Sequence, residues 1–431
     1  MPQGARIYNL FPLLAGKLPA WEKHLDRIGA MGFDWVFLNP VHYPGFSGSL
    51  YAVKDYYALN PLLTDGIMSS PEASLSEFLK VAEARGIGVM MDLVVNHTAK
   101  DSPLTEQPPE WFMREPDGSL HSPFAVDPDD GHKTIWGDHA EIDYSDRPER
   151  AALISYFADY IRHYTRMGVR GFRCDAAYKV PKEVWRALIS AGRQKRHDLD
   201  FAAENLGASE EEVKAMRGAG FDYLFNSSKY WDFRQRWLLD QYEMFRSIAP
   251  SISFPESHDT DRLVNDLGVG ASLPAEAEIE RRYRGAYLFA AVFSTGVMIP
   301  IGYEYGFRKR LHVVKTRPDD WEQPAFDLTS YIGEVNRMKA SLPVLNEEGP
   351  QRAIPLGDGQ IVCLLRRAMR GPSWTATLIN PGRRAITARI RGLGSGVENG
   401  REVTPGGMDR PFRVGGEVTL EPHEVQVYAS R

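Results

Sequence analysis

The sequence predicts an α/β protein: a (β/α)8 barrel with a short inserted domain after the third strand and an antiparallel β-sandwich at its C-terminal end. Three observations carry this. Short apolar runs alternate with helical patterns until eight such runs have been counted between Arg6 and Ile301. Polar groups suited to chemistry stand just after those runs, where barrel active sites are built. Past Ala340 the pattern changes to short alternating runs parted by Gly and Pro, the mark of an antiparallel β-domain.

Arg6 to Leu10 reads as the first strand and Pro19 to Met31 as the first helix, with Trp21, Leu25 and Ile28 on one face. Gly32 to Pro40 is a strand of the fully buried kind that parallel sheets require. A helix around Leu75 to Ala84 leads to the third strand, Gly88 to Val94, and the next helix begins near Arg147. Residues 98–147 are rich in Pro, Asp and Gly, and so long a connection inside a compact domain is usually functional. Gly171 to Asp175 is the fourth strand. A helix over Lys182 to Ala191 precedes the fifth, Leu199 to Ala203. Strand Phe221 to Phe225, a helix near Trp231 to Phe245, strand Ile252 to Pro255, a helix over Glu280 to Phe293 and strand Gly296 to Ile301 follow. Doubly wound sheets alternate likewise, so the polar groups after the strands are what favour a barrel. The expected division is 1–97 with 148–345 for the barrel, 98–147 for the insert and 346–431 for the sandwich. In the last, Gln360 to Arg367, Thr375 to Asn380, Ile386 to Ile390 and Glu417 to Tyr428 read as strands.

The chain of 431 residues exceeds one ordinary domain and suits a barrel of about 250 residues with additions. A net charge of −6 argues against nucleic acid or an anionic membrane as partner. Cys174 and Cys363 lie far apart in different expected domains, so no disulfide is indicated and a reducing, cytoplasmic compartment is expected. The N-terminus enters a strand almost at once without the pattern of an export signal, and no apolar run reaches the roughly 18 residues a membrane span needs.

The pentapeptide Gly171-Phe-Arg-Cys-Asp175 presents Arg173 and Asp175 on one face, because strand side chains alternate with period two. The cation can hold the carboxylate ionised and aimed, as a nucleophile requires; alone, such a pentapeptide is more often a plain surface ion pair. Three further stretches follow buried-strand runs: Asp92-Leu-Val-Val-Asn-His97, Phe201-Ala-Ala-Glu204-Asn and Phe254-Pro-Glu-Ser-His258-Asp259.

With these four motifs in order, the chain resembles the α-amylase superfamily of glycoside hydrolases and transglycosylases. The resemblance implies that Asp175 is the nucleophile, Glu204 the general acid/base and Asp259 the transition-state stabiliser. It implies that His97 and His258 hold hydroxyls of the distorted sugar, that Tyr51 stacks beneath it with Asp55 near by, and that the insert walls one side of the cleft. Arg173 orients the nucleophile, and Asp92 and Asn96 hold the site without reacting. A retaining pair stands roughly 5 to 5.5 Å apart, and consecutive strands can bring Asp175 and Glu204 that close, so the α-configuration is expected to be retained. The apolar approach to Glu204 and the neighbouring Asp175 should raise its pKa; as a lone residue it would read as the cap of the following turn.

Departures from the pattern bear on specificity. Many amylases follow the nucleophile with Ala-Ala-Lys-His, whose last two meet the leaving glucan; here Ala176-Ala177-Tyr178-Lys179 stands instead, so Tyr178 and Lys179 are the candidates for that contact. Ser257 occupies the place of a frequent Asn, and Gly302-Tyr-Glu304-Tyr-Gly306 resembles the family's last motif in an architectural role. No cofactor is required. Calcium stays open: Asn96 matches a ligand in many amylases, and the insert holds Asp127, Asp129, Asp130 and Asp138 without a recognisable ligand loop.

The expected activity is that of a retaining, α-amylase-like hydrolase of α-1,4-glucosidic bonds, with an α-glucan or maltooligosaccharide as partner. Two alternatives stay open. Gly32 to His42, Leu50 to Tyr56 and Val297 to Gly306 look like the maltosyltransferases that use maltose 1-phosphate, with Lys54, Lys179 and Lys315 as candidates for a phosphate. The other is an inactive barrel kept as a binding or assembly module, though such chains usually lose one of three carboxylates and none is lost here.

Overall fold

The computed structural model describes residues 4–106, 109–126, 131–268, 275–391, 393–394, 396–397 and 399–430. Eight parallel strands close on themselves: β1 (Arg6–Asn9), β2 (Trp35–Leu38), β3 (Gly88–Leu93), β4 (Gly171–Cys174), β5 (Asp200–Ala203), β6 (Tyr223–Phe225), β7 (Ser251–Ser253) and β8 (Gly296–Pro300). They stand in chain order, and β8 pairs with β1 to complete the ring. Each strand is followed by a helix: α1 (Glu22–Ala30), α2 (Pro71–Ala84), α3 (Glu149–Met167), α4 (Lys182–Arg193), α5 (Glu210–Ala215), α6 (Trp237–Arg246), α7 (Glu276–Phe293) and α8 (Thr329–Ser341).

Strand periodicity divides the core in two. Ile7, Phe37, Met90, Ala202, Phe225, Ile252 and Met298 meet in one apolar cluster within the barrel. Their sequence neighbours, such as Val36, Val89, Phe201 and Val297, belong to the larger cluster that includes the helices. Both faces being covered, the strands read as continuous apolar runs. At Gly296 a methyl group would sit 2.6 Å from Cγ1 of Ile252, so β8 can lie against β7 only without a side chain there. α3 buries Leu153, Phe157, Tyr160, Ile161 and Tyr164 along one stripe.

The insert after β3 contains two antiparallel ribbons, His97–Ala99 with His139–Glu141 and Phe124–Val126 with Lys133–Ile135. The C-terminal region is a six-stranded antiparallel sheet facing a two-stranded one, Ile386–Arg389 with Glu417–Leu420. Leu356, Cys363, Leu365, Trp374 and Tyr428 of the larger sheet share a core with Ala388, Val418 and Leu420 of the smaller, which makes it a sandwich.

Three of the differences from the sequence reading have a clear local cause. The helix expected from Trp231 starts only at Trp237, because Phe233 adopts a left-handed φ of 61° and Asp232 accepts the N–H groups of Arg234 and Gln235 in a turn. Trp231 packs instead against Phe289 and Phe293. The run Glu417 to Tyr428 is two strands, Glu417–Leu420 and Val425–Ser430, broken where His423 takes a φ of 58°. The edge strand Gln351–Leu356 has no clear apolar alternation and contains Pro355, as edge strands tolerate.

Candidate active site

β4 sets the geometry. Its register places Arg173 opposite Asp92 on β3 and opposite the small Ala202 on β5, which leaves room for a guanidinium to lie across the barrel mouth. Nη1 of Arg173 donates to both oxygens of Asp92, at 3.1 and 3.0 Å, and to Oδ1 of Asp175 at 2.7 Å. Nη2 stands 4.0 Å from Oε2 of Glu204 and 3.6 Å from Oδ2 of Asp259. One buried cation thus gathers carboxylates from the ends of β3, β4 and β5 and from the loop after β7.

The chain turns sharply after Asp175. Ala176 has a left-handed φ of 42°, strained for a residue with a Cβ, and its N–H donates to Oε2 of Glu204 at 3.0 Å. Oε1 of Glu204 accepts from the N–H of Leu206 at 2.7 Å. The turn-capping alternative is therefore also present, in the same carboxylate that faces the cleft. Burial, with Asp175 and Asp259 adding to it, pushes the Glu204 pKa up to about 7 against the opposing pull of Arg173. Burial likewise raises Asp175 above the ordinary carboxylate range, Arg173 works against this, and Asp259 adds to it. Asp92, fully buried, is pushed up to about 8 in spite of Arg173.

Tyr51 joins this network through its hydroxyl, which lies 2.7 Å from Oδ2 of Asp92 and 2.7 Å from Nε2 of His258 and accepts from the Asn39 amide at 3.0 Å. Its ring stacks on His258, centroids 5.7 Å apart and planes 6° apart. His258 Nε2 is also 3.1 Å from Oδ2 of Asp259, and burial lowers its pKa to about 4. His97 is buried and lowered to about 4 for the same first reason.

These residues surround a cleft of about 530 Å3 lined by Tyr51, Asn96, His97, Arg173, Asp175, Tyr178, Lys179, Glu204 and Asp259, with Phe124 and Trp136 of the insert on one wall. His258 lies behind Tyr51 rather than on the cleft surface. Lys179 reaches the cleft with its ammonium 3.3 Å from Glu212 and 4.9 Å from the Tyr178 ring centroid.

Asp55 is not brought to the site. It is exposed, outside the cleft lining, and its Oδ1 accepts from the N–H groups of Tyr57 and Ala58, so its carboxylate is engaged by its own strand, Val53–Leu59, where the pairing with His42–Pro44 is irregular. Lys54 is likewise drawn away, pairing with Asp101 at 2.8 Å. Among the described residues no group of three or more His, Cys, Asp or Glu is gathered closely enough to hold a metal ion. Asp138 lies 3.7 Å from His139, whereas Asp127, Asp129 and Asp130 lie outside the described residues.

Residues 3–116 match the glucanotransferase domain of glycogen debranching enzyme. The chain is 28% identical over 369 residues to the α-1,4-glucan:maltose-1-phosphate maltosyltransferase of Burkholderia pseudomallei, covering 84% of this chain and 31% of that protein. The structure superposes on an α-amylase from Lactobacillus plantarum with a TM-score of 0.75 at 20% identity, covering 100% of this chain and 99% of that one. In sequence and in fold the chain is similar to the α-amylase superfamily. Other members it is similar to are α-amylase MalA of Haloarcula japonica, 24% identical over 347 residues (77% of this chain, 47% of that protein), and the Geobacillus thermoleovorans α-amylase solved with acarbose. The latter gives a TM-score of 0.76 at 18% identity, covering 100% of this chain and 98% of that one. The chain thus spans 31% and 47% of the two sequence relatives' lengths and nearly the whole of the two solved amylases.

Sequence reasoning missed His139, Glu141, Phe124 and Trp136, all on the cleft wall. The alternation Asp138-His-Ala-Glu141 was the available signal for the first two, since it puts His139 and Glu141 on one strand face.

Proposed function

We propose that this chain is a retaining α-glucan-active enzyme that cleaves α-1,4-glucosidic bonds by double displacement. The observation that carries it is the single guanidinium of Arg173 within 4.0 Å of Asp175, Glu204 and Asp259 on the floor of one cleft. Glu204, its pKa raised to about 7, protonates the leaving glycosidic oxygen while Asp175 attacks the anomeric carbon. The bond to the leaving oxygen breaks as the ester to Asp175 forms, and Arg173 keeps Asp175 aimed. Asp259, at the open end of the trio, stabilises the positive charge that grows on the ring. In the second half Glu204 takes a proton from the acceptor, which displaces Asp175 and restores the starting configuration.

Water as acceptor gives an α-amylase-like hydrolase, the reading to which the whole-length likeness to amylase structures lends support. A glucan as acceptor gives a transferase. The maltosyltransferase relatives and the glucanotransferase match favour it, and Lys179, on the cleft wall, is the cation available for a phosphorylated donor. Assays of soluble starch and of maltose 1-phosphate, each with and without maltooligosaccharide acceptor, separate the two. Reducing ends without chain extension indicate hydrolysis; extension that depends on acceptor indicates transfer. Failure to turn over either donor would refute both readings and leave a binding module.

A further inference from the structure

We propose that His139 is a substrate-binding residue that reads a sugar hydroxyl beside His97, an assignment that rests on the functional reading above. The strand His139–Glu141 pairs antiparallel with His97–Ala99, His97 opposite Glu141 and Ala99 opposite His139. Alternation therefore puts His97, His139 and Glu141 on one face of the ribbon and Thr98 and Ala140 on the other. The first three line the cleft; Thr98 and Ala140 do not and are fully buried.

The two imidazoles stack with centroids 4.3 Å apart and planes 9° apart, and only 6% of His97 and 5% of His139 is exposed. Yet Nε2 of His97 and both ring nitrogens of His139 lack a hydrogen-bond partner within the protein. Buried polar groups in folded proteins are almost always paired, and each unpaired one carries its desolvation penalty in full. Three such nitrogens on one patch of cleft wall mark a place where partners arrive with a ligand. The neighbouring charged groups are engaged or out of reach: Glu141 faces Nε2 of His121 at 3.3 Å, and Asp138 stays 3.7 Å from Nε2 of His139, beyond a hydrogen bond.

The ligand's chemistry follows from the ring's state. Burial first, and His97 next, press the His139 pKa down to about 3, so the ring is neutral near pH 7. A neutral imidazole offers one N–H and one lone pair, the complement of a hydroxyl, which also donates and accepts. The carboxylates of Asp138, Glu141 and Asp175 around the pair disfavour an anion. A polyhydroxyl ring entering beside Asp175 meets these requirements.

The test uses the Glu204→Gln protein, which binds without turnover, and titrates maltotriose and its monodeoxy analogues by calorimetry. His139→Phe keeps a ring to stack on His97 and removes both nitrogens. It is expected to weaken maltotriose binding about ten- to a hundredfold. One monodeoxy analogue should bind the parent about as weakly, and lose nothing further in the variant. His139→Asn, a second variant should the phenylalanine not fold, should show the same selective loss to a smaller degree. Binding within twofold of the parent, or an equal loss for maltotriose and every analogue, would overturn the assignment and leave a packing role. A parent that binds no maltooligosaccharide would instead overturn the functional reading, and the assignment with it.

Discussion

The Nη1 of Arg173 lies 2.7 Å from Oδ1 of Asp175, two residues farther along and just past the end of β4, and the same nitrogen is 3.0 Å from Asp92. Lysine presents one compact ammonium and cannot serve Asp92 and Asp175 while also facing Glu204 and Asp259. Arg173→Lys is therefore expected to lower kcat/KM about 100-fold or more on any glucan donor. Arg173→Ala leaves buried carboxylates uncompensated and should also cost about 3 to 5 kcal/mol of stability. Steady-state kinetics and denaturant unfolding measure the two effects separately.

The pH profile should be bell-shaped. Glu204 must carry its proton to act as acid, so kcat/KM should fall as pH rises through about 7. Asp175 must be ionised, and its raised pKa places the acid limb above the ordinary carboxylate range. Glu204→Gln should lose most activity toward poor leaving groups and, with an activated glycosyl fluoride, lose the alkaline limb. A profile flat from pH 6 to 9 would contradict the assignment.

Asp200, at the start of β5 and away from the cleft, supplies a stability prediction. Burial, with Asp222 adding to it, raises its pKa to about 7. The folded chain then binds a proton that the unfolded chain releases near pH 4, so stability is lost as pH rises from about 4 to 7. Asp200→Asn should raise the melting temperature at pH 8, lose that advantage below pH 4 and leave kcat unchanged. Thermal melts across pH measure it.

Lys54 and Asp55 stand one residue apart on a strand and neither lines the cleft. Asp55→Asn and Lys54→Ala should each leave kcat/KM within about twofold, as substitutions away from a site usually do. Lys179→Ala should raise KM, most of all if the donor carries a phosphate. Kinetics on starch and maltose 1-phosphate measure all three.

What could be read from the chain follows its periodicities. The eight barrel strands were legible because strands covered on both faces are apolar throughout, and the pairing of Arg173 with Asp175 because it depends only on a spacing of two. Contacts that depend on register between distant segments were not. The bonds from Arg173 to Asp92 need β4 placed against β3, and the stacking of His139 on His97 needs an antiparallel pairing across the insert. Asp55 was misread because the N–H groups of Tyr57 and Ala58 on its own strand compete locally for a carboxylate that the resemblance placed near the cleft.

Covalent trapping probes the proposed chemistry at its centre. Glu204→Gln protein supplied with α-maltosyl fluoride should accumulate a glycosyl-enzyme, because the good leaving group needs no acid while the second step lacks its base. Peptide mass spectrometry should find the maltosyl group on Asp175. A sugar carried by any other residue, or turnover with inverted anomeric configuration, would contradict the account.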